Sequence, residues 1–132
     1  MPENHLFEYA VIRIVPHVER EEFLNAGVVL YCARKKFLQV IYEVNETKIR
    51  AFCDLSDIRE IDTYLQSFKH ICNGGGSAGP IGLLTMAERF RWLTATRSTV
   101  VQSSKVHSGL CDDPGIVLHK LYEQMVCSRP SL

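Results

Sequence analysis

Hydrophobic positions change their period partway along the chain. Residues 9–15 are rich in β-branched side chains and stop at Pro16, which cannot continue a central ladder. Residues 27–32 are almost wholly apolar, the pattern of a central strand covered on both faces. A polar turn, Ala33-Arg34-Lys35-Lys36, then leads into residues 37–42, spaced as a hairpin partner. The first third of the chain thus predicts a three-stranded antiparallel meander.

From Asn45 the spacing becomes helical. Residues 46–52 suit a short helix, and residues 57–72 a longer one, whose Ile58, Ile61, Leu65, Phe68 and Cys72 form a stripe at three- and four-residue intervals. Ser56 or Asp57 can cap its start, and Asn73-Gly74 can stop it. A glycine-rich stretch over residues 73–80 predicts a flexible loop or hinge between the two halves. Thr85 followed by Glu88 has the spacing of a capping box ahead of a helix over residues 86–93. Residues 97–102 read as a later strand. Asp113-Pro114 supplies the cap and first position of a last helix, with Val117, Leu118, Leu121 and Met125 on its buried face. Strands early and helices later predict an α+β fold: an antiparallel sheet of the N-terminal meander plus at least one later strand, packed against helices.

Length and composition narrow this to one domain, residues 1–132. A chain of 132 residues has no need of disulfides or metal to bury a core. With 46% hydrophobic and 23% charged residues it lies far from the composition of disordered chains. Fifteen basic and fifteen acidic residues cancel, so no global field draws the protein to nucleic acid or an anionic membrane. The five cysteines are odd in number and contain no C-x-x-C pair, which suits buried thiols in a reducing cytoplasm. The start of the chain lacks a basic segment followed by an apolar one, and the longest apolar run, residues 26–33, is too short to span a membrane. The expectation is a cytoplasmic protein with no membrane contact.

Gly74, Gly76 and Gly79 match G-x-G-x-x-G by letter, but a helix precedes them and Pro80 follows, where a dinucleotide loop needs a strand before and a helix after. No Lys-Ser/Thr follows for a phosphate loop either. The five histidines lack metal-ligand spacing, so neither a cofactor nor a metal is expected. The Asn25-Ala26-Gly27 segment reads as a turn or bulge needing a positive φ.

Residues 89–107 collect Arg89, Arg91, Arg97, Lys105 and His107 among many hydroxyls, the donor chemistry that a phosphate or carboxylate requires. On a strand beginning at Arg97, alternation would put Arg97 and Thr99 on one face. Arg13 is the one charge inside the first strand, with Glu21 and Glu22 as candidate partners. His107 could serve as a general base, although no acid adjoins it. The bland alternative is that these arginines are solvated surface charges.

Two stretches carry a family resemblance. The first is Glu8-Tyr9-Ala10-Val11-Ile12-Arg13 with Val15-Pro16, continuing through Arg20, Glu22-Phe23, Asn25 and Gly27-Val28-Val29-Leu30. The second runs from Gly79-Pro80-Ile81-Gly82 through Glu88-Arg89-Phe90-Arg91-Trp92-Leu93-Thr94 and Arg97-Ser98-Thr99-Val100-Val101-Gln102 to Val106-His107 and Gly109-Leu110. In these the chain resembles a bacterial family catalogued as domain of unknown function number 3037. The resemblance implies no reaction or cofactor. Members are often encoded beside a short HipA-like, kinase-related protein, which implies an accessory role with such a partner. The family signature includes Arg13, Arg91, Arg97, Ser98, Thr99 and His107, the residues singled out on charge.

The resulting expectation is a small binding or accessory module that holds a phosphate or carboxylate through these six residues. The alternatives are a phosphoester-processing enzyme using His107 with Arg91 and Arg97, or a nucleic-acid-binding module, which zero net charge disfavours. Oligomeric state is not legible in the sequence.

Overall fold

A computed structural model describes residues 4–52, 58–97 and 99–127. β1 (His5–Ile14) is its central axis. On one side β1 pairs antiparallel with β2 (Leu24–Cys32), which pairs in turn with β3 (Phe37–Tyr42). On the other side two short strands share its length end to end. β5 (His107–Cys111) pairs with His5 to Tyr9, and β4 (Val101–Ser103) with Ile12 to Ile14. The expected meander is present, with β3 over the residues anticipated for it, and the fold is α+β.

Alternation along β1 sends its side chains to two separate cores. Ala10, Ile12 and Ile14 face a layer made by α2 (Ile58–Asn73) and α3 (Met86–Leu93), where they pack with Leu65, Phe68 and Leu93. Ile49 of α1 (Glu46–Phe52) joins the same cluster. Phe7 points the other way, toward α4 (Pro114–Met125), with Val28, Leu30, Cys32 and Leu118. Helices therefore cover both faces of the sheet. Each fully buried Leu or Ile in these clusters contributes about 1.5–3 kcal/mol.

Local chemistry fixes the helix ends as the sequence implies. The Thr85 hydroxyl accepts from Glu88 N–H at 3.2 Å while the Glu88 carboxylate accepts from Thr85 N–H at 3.3 Å, a complete capping box. Asp113 caps α4, accepting from Gly115 N–H at 2.9 Å, with Pro114 at the first helical position. The cap expected at Ser56 or Asp57 lies outside the described residues.

Three local expectations change. The later strand begins at Val101 rather than at residue 97, and β5 follows it, its Ser108 and Gly109 hiding any apolar alternation. The glycine-rich stretch, expected as a loop, passes into 3₁₀ turns over Gly76–Leu83, interrupted at Gly79 with φ 71°, and packs on α2. Gly27 does adjoin a bulge, between Ile12 and Arg13 in the register, but its φ is not positive. It is glycine because a Cβ there would lie 2.6 Å from the Ile41 carbonyl oxygen and 2.8 Å from the Tyr42 Cβ.

Among the described residues no helix is long and apolar enough to cross a membrane, and no cluster of His, Cys, Asp or Glu is placed to hold a metal ion.

Candidate functional site: the Arg13 cleft

The arginines selected by charge meet different fates. Arg89, on the buried side of α3, donates from Nη1 to the carbonyls of Ile71 and Cys72, both at 2.8 Å, and from Nε to the Leu84 carbonyl at 3.2 Å. The last carbonyls of a helix lack partners within it, and a guanidinium placed there satisfies them and complements the negative end of the helix dipole. Arg89 is therefore the C-terminal cap of α2. Gly74, at φ 76°, turns the chain there, and a Cβ on it would come within 2.9 Å of Arg89 Nη1. In the same socket burial pushes the Cys72 thiol up to about 12 while the charge of Arg89 pulls it down, so this thiol is inert at neutral pH.

Arg97 behaves similarly at the end of α3. It donates to the Trp92 carbonyl, and its guanidinium carbon stands 5.1 Å from the Trp92 ring centre and 5.9 Å from that of Phe68. Burial lowers its pKa from the usual arginine value. Arg91 is exposed on α3, and Thr99 turns its hydroxyl back to the Val101 carbonyl at 2.7 Å. Ser98 lies outside the described residues.

Arg13 and His107 belong to the other face of the sheet. Arg13 falls between Ile12 and Ile14, both buried toward α2, so its own side chain projects on the α4 side. His107 is directly opposite Tyr9, with the ring centres 5.3 Å apart, and Tyr9 packs on the α4 cluster. Four residues of strand separate the two positions, about 14 Å. The sheet thus stands between Arg13 and His107 on one side and Arg91 and Arg97 on the other. Among the described members of the set, Arg13 and His107 therefore share no pocket with Arg91 and Arg97.

One member of the set retains unspent chemistry. Arg13 lies in a cleft of about 360 Å³ lined by Val15, Glu21, Glu22, Phe23, Gln102 and Ser103. Its guanidinium carbon sits 3.9 Å from the centre of the Phe23 ring. Its Nε is buried and without a hydrogen bond, as is Oδ1 of Asn25, its partner across the β1–β2 ladder. The Asn25 amide nitrogen is engaged, donating to the Met125 carbonyl at 3.0 Å. The anticipated pairing of Arg13 with Glu21 or Glu22 is not made. Glu22 binds Arg20 at 2.8 Å, and Glu21 occupies a left-handed conformation at φ 57° on the exposed rim.

A buried donor left unpaired costs about 1–3 kcal/mol. Phe23 was not selected from the sequence as a site residue. Its signal was a single exposed aromatic beside the charged run of residues 19–22, which has meaning only once β4 is brought alongside.

The family model described as Protein of unknown function (DUF3037) matches residues 9–126 of the chain. No curated protein and no solved structure matches it.

Proposed function

The chain belongs to the DUF3037 family, and we propose that it is a cytoplasmic bacterial binding or accessory module that takes one carboxylate of a partner protein in the Arg13 cleft. The observation that carries this reading is the buried Nε of Arg13, which lacks an acceptor although the guanidinium is already held in place by Phe23. A guanidinium so positioned gives up little conformational freedom on binding, and an Arg–carboxylate hydrogen bond is among the strong ones. The charge around the cleft favours carboxylate over phosphate. Glu21 and Glu22 line it as well, and they oppose a dianion more than a single negative charge.

Nothing in the geometry favours a phosphoester-processing enzyme. Arg97 and His107 lie on opposite faces of the sheet, and Arg97 is occupied as a helix cap. Nucleic-acid binding gains no support either, since Arg89 and Arg97 direct their charge inward.

The test follows the arginine Nε–Hε signals by NMR during matched titrations with acetate and inorganic phosphate. The Arg13 signal moves and saturates with acetate, responds more weakly to phosphate, and is absent in Arg13→Gln, while the Arg91 signal stays still. An Arg13 signal indifferent to both anions overturns the reading, and a stronger response to phosphate overturns the choice of carboxylate.

A further inference from the structure

Arg13 shares its cleft with more acceptors than donors. Gln102 spends its amide nitrogen on the Thr99 carbonyl at 2.9 Å, and its amide oxygen has no partner among the described residues. The Ser103 hydroxyl donates to the Ser104 carbonyl at 2.8 Å, so toward a ligand its oxygen is an acceptor. Glu22 is engaged with Arg20, whereas Glu21 has no ion-pair partner among the described residues. Glu21 follows the 3₁₀ turn Val18–Arg20 at φ 57° and stands two residues before Phe23, so one short segment carries both this acid and the ring that holds Arg13. Within about 360 Å³ the cleft thus combines one guanidinium with an unpaired carboxylate and two neutral acceptors.

A ligand bearing only a carboxylate answers Arg13 and leaves Glu21 beside a like charge. One bearing an ammonium next to its carboxylate answers both. Building on the carboxylate reading of the Arg13 cleft, we infer that Glu21 selects the partner: the segment taken up presents an acidic residue with a lysine beside it, the carboxylate meeting Arg13 and the ammonium meeting Glu21. Lysine fits this lining better than arginine. Its ammonium is a compact charge with three donors and no acceptor, suited to separate oxygens such as those of Glu21, Gln102 and Ser103, whereas a guanidinium is a planar fork matched to one bidentate carboxylate.

Titrations of the full chain, read at the Arg13 Nε–Hε signal, test this with N-acetyl-Glu-Lys-amide and N-acetyl-Glu-norleucine-amide, which differ in the ammonium alone. The lysine peptide binds about three- to fivefold more tightly, the size of one exposed ion pair. In Glu21→Gln the preference disappears and the norleucine peptide binds no less tightly than before, while Glu19→Gln, at an exposed acid that does not line the cleft, keeps the preference. The backbone amide spectrum confirms that each variant is folded. Equal affinity of the wild-type chain for the two peptides, a preference that survives Glu21→Gln, or one lost equally in Glu19→Gln overturns the inference and leaves Arg13 as a carboxylate site. An Arg13 signal indifferent to both peptides overturns the carboxylate reading with it.

Discussion

Two arginines, Arg89 and Arg13, occupy comparable places in the fold and do opposite things. Both have their guanidinium groups pressed against the protein interior. Arg89 meets three carbonyls, two of them the otherwise unpaired end of α2. Arg13 meets the face of Phe23 and has no acceptor for its Nε. A buried guanidinium with its donors satisfied holds elements together. One with a donor unsatisfied subtracts from stability.

The strongest test of this contrast is Arg89→Met, which keeps the aliphatic stem and removes the donors. It leaves the Ile71 and Cys72 carbonyls without their charged partner and is expected to cost about 3 kcal/mol or more, read as a lowered midpoint in urea unfolding. Arg13→Met, read in the same way, changes stability by less than about 1 kcal/mol in either direction, because deleting an unpaired buried donor offsets the loss of its contact with Phe23. A loss at Arg13 equal to that at Arg89 would break the comparison and make both residues structural. The gentlest disturbance acts through the start of α3, one residue before Arg89. The Glu88 pKa is held below the usual value by the Thr85 hydroxyl and then by its backbone N–H. Because the folded pKa is depressed, the contribution is complete above the unfolded value of about 4.3 and is lost as pH falls through the lower folded one. Thermal unfolding should therefore separate the wild type from Glu88→Gln at neutral pH, and the gap should close on acidification below about pH 4.

The same pair of residues shows what charge counting can and cannot do. Grouping Arg89 to His107 as a cationic segment treated its members as alike. Arg89 and Arg97 turn out to serve the ends of α2 and α3. Arg13, with no local cationic neighbour in its strand, is the one with free chemistry. Its Phe23 lid could not be assigned, because Phe23 gains its role from a cleft shared with Gln102 and Ser103, some eighty residues away. β5 escaped for a related reason: its strand character comes from pairing with His5 to Tyr9 rather than from its own composition.

Sequence alone determined what depends on near neighbours. The period of apolar residues gave the meander and the faces of α2 and α4, the Thr85–Glu88 and Asp113–Pro114 spacings gave two helix starts, and Pro16 gave the end of the first strand. These patterns act over one to four residues, so they can be read in one dimension. Tertiary structure decided how the arginines are used and which face of the sheet each one occupies. The deciding contacts join Arg89 to residues 17 and 18 positions away, Val11 to Ser104 at a separation of 93, and Asn25 to Met125 at 100. A guanidinium becomes a cap or a binding group according to the acceptors that folding brings to it, and no local pattern records them.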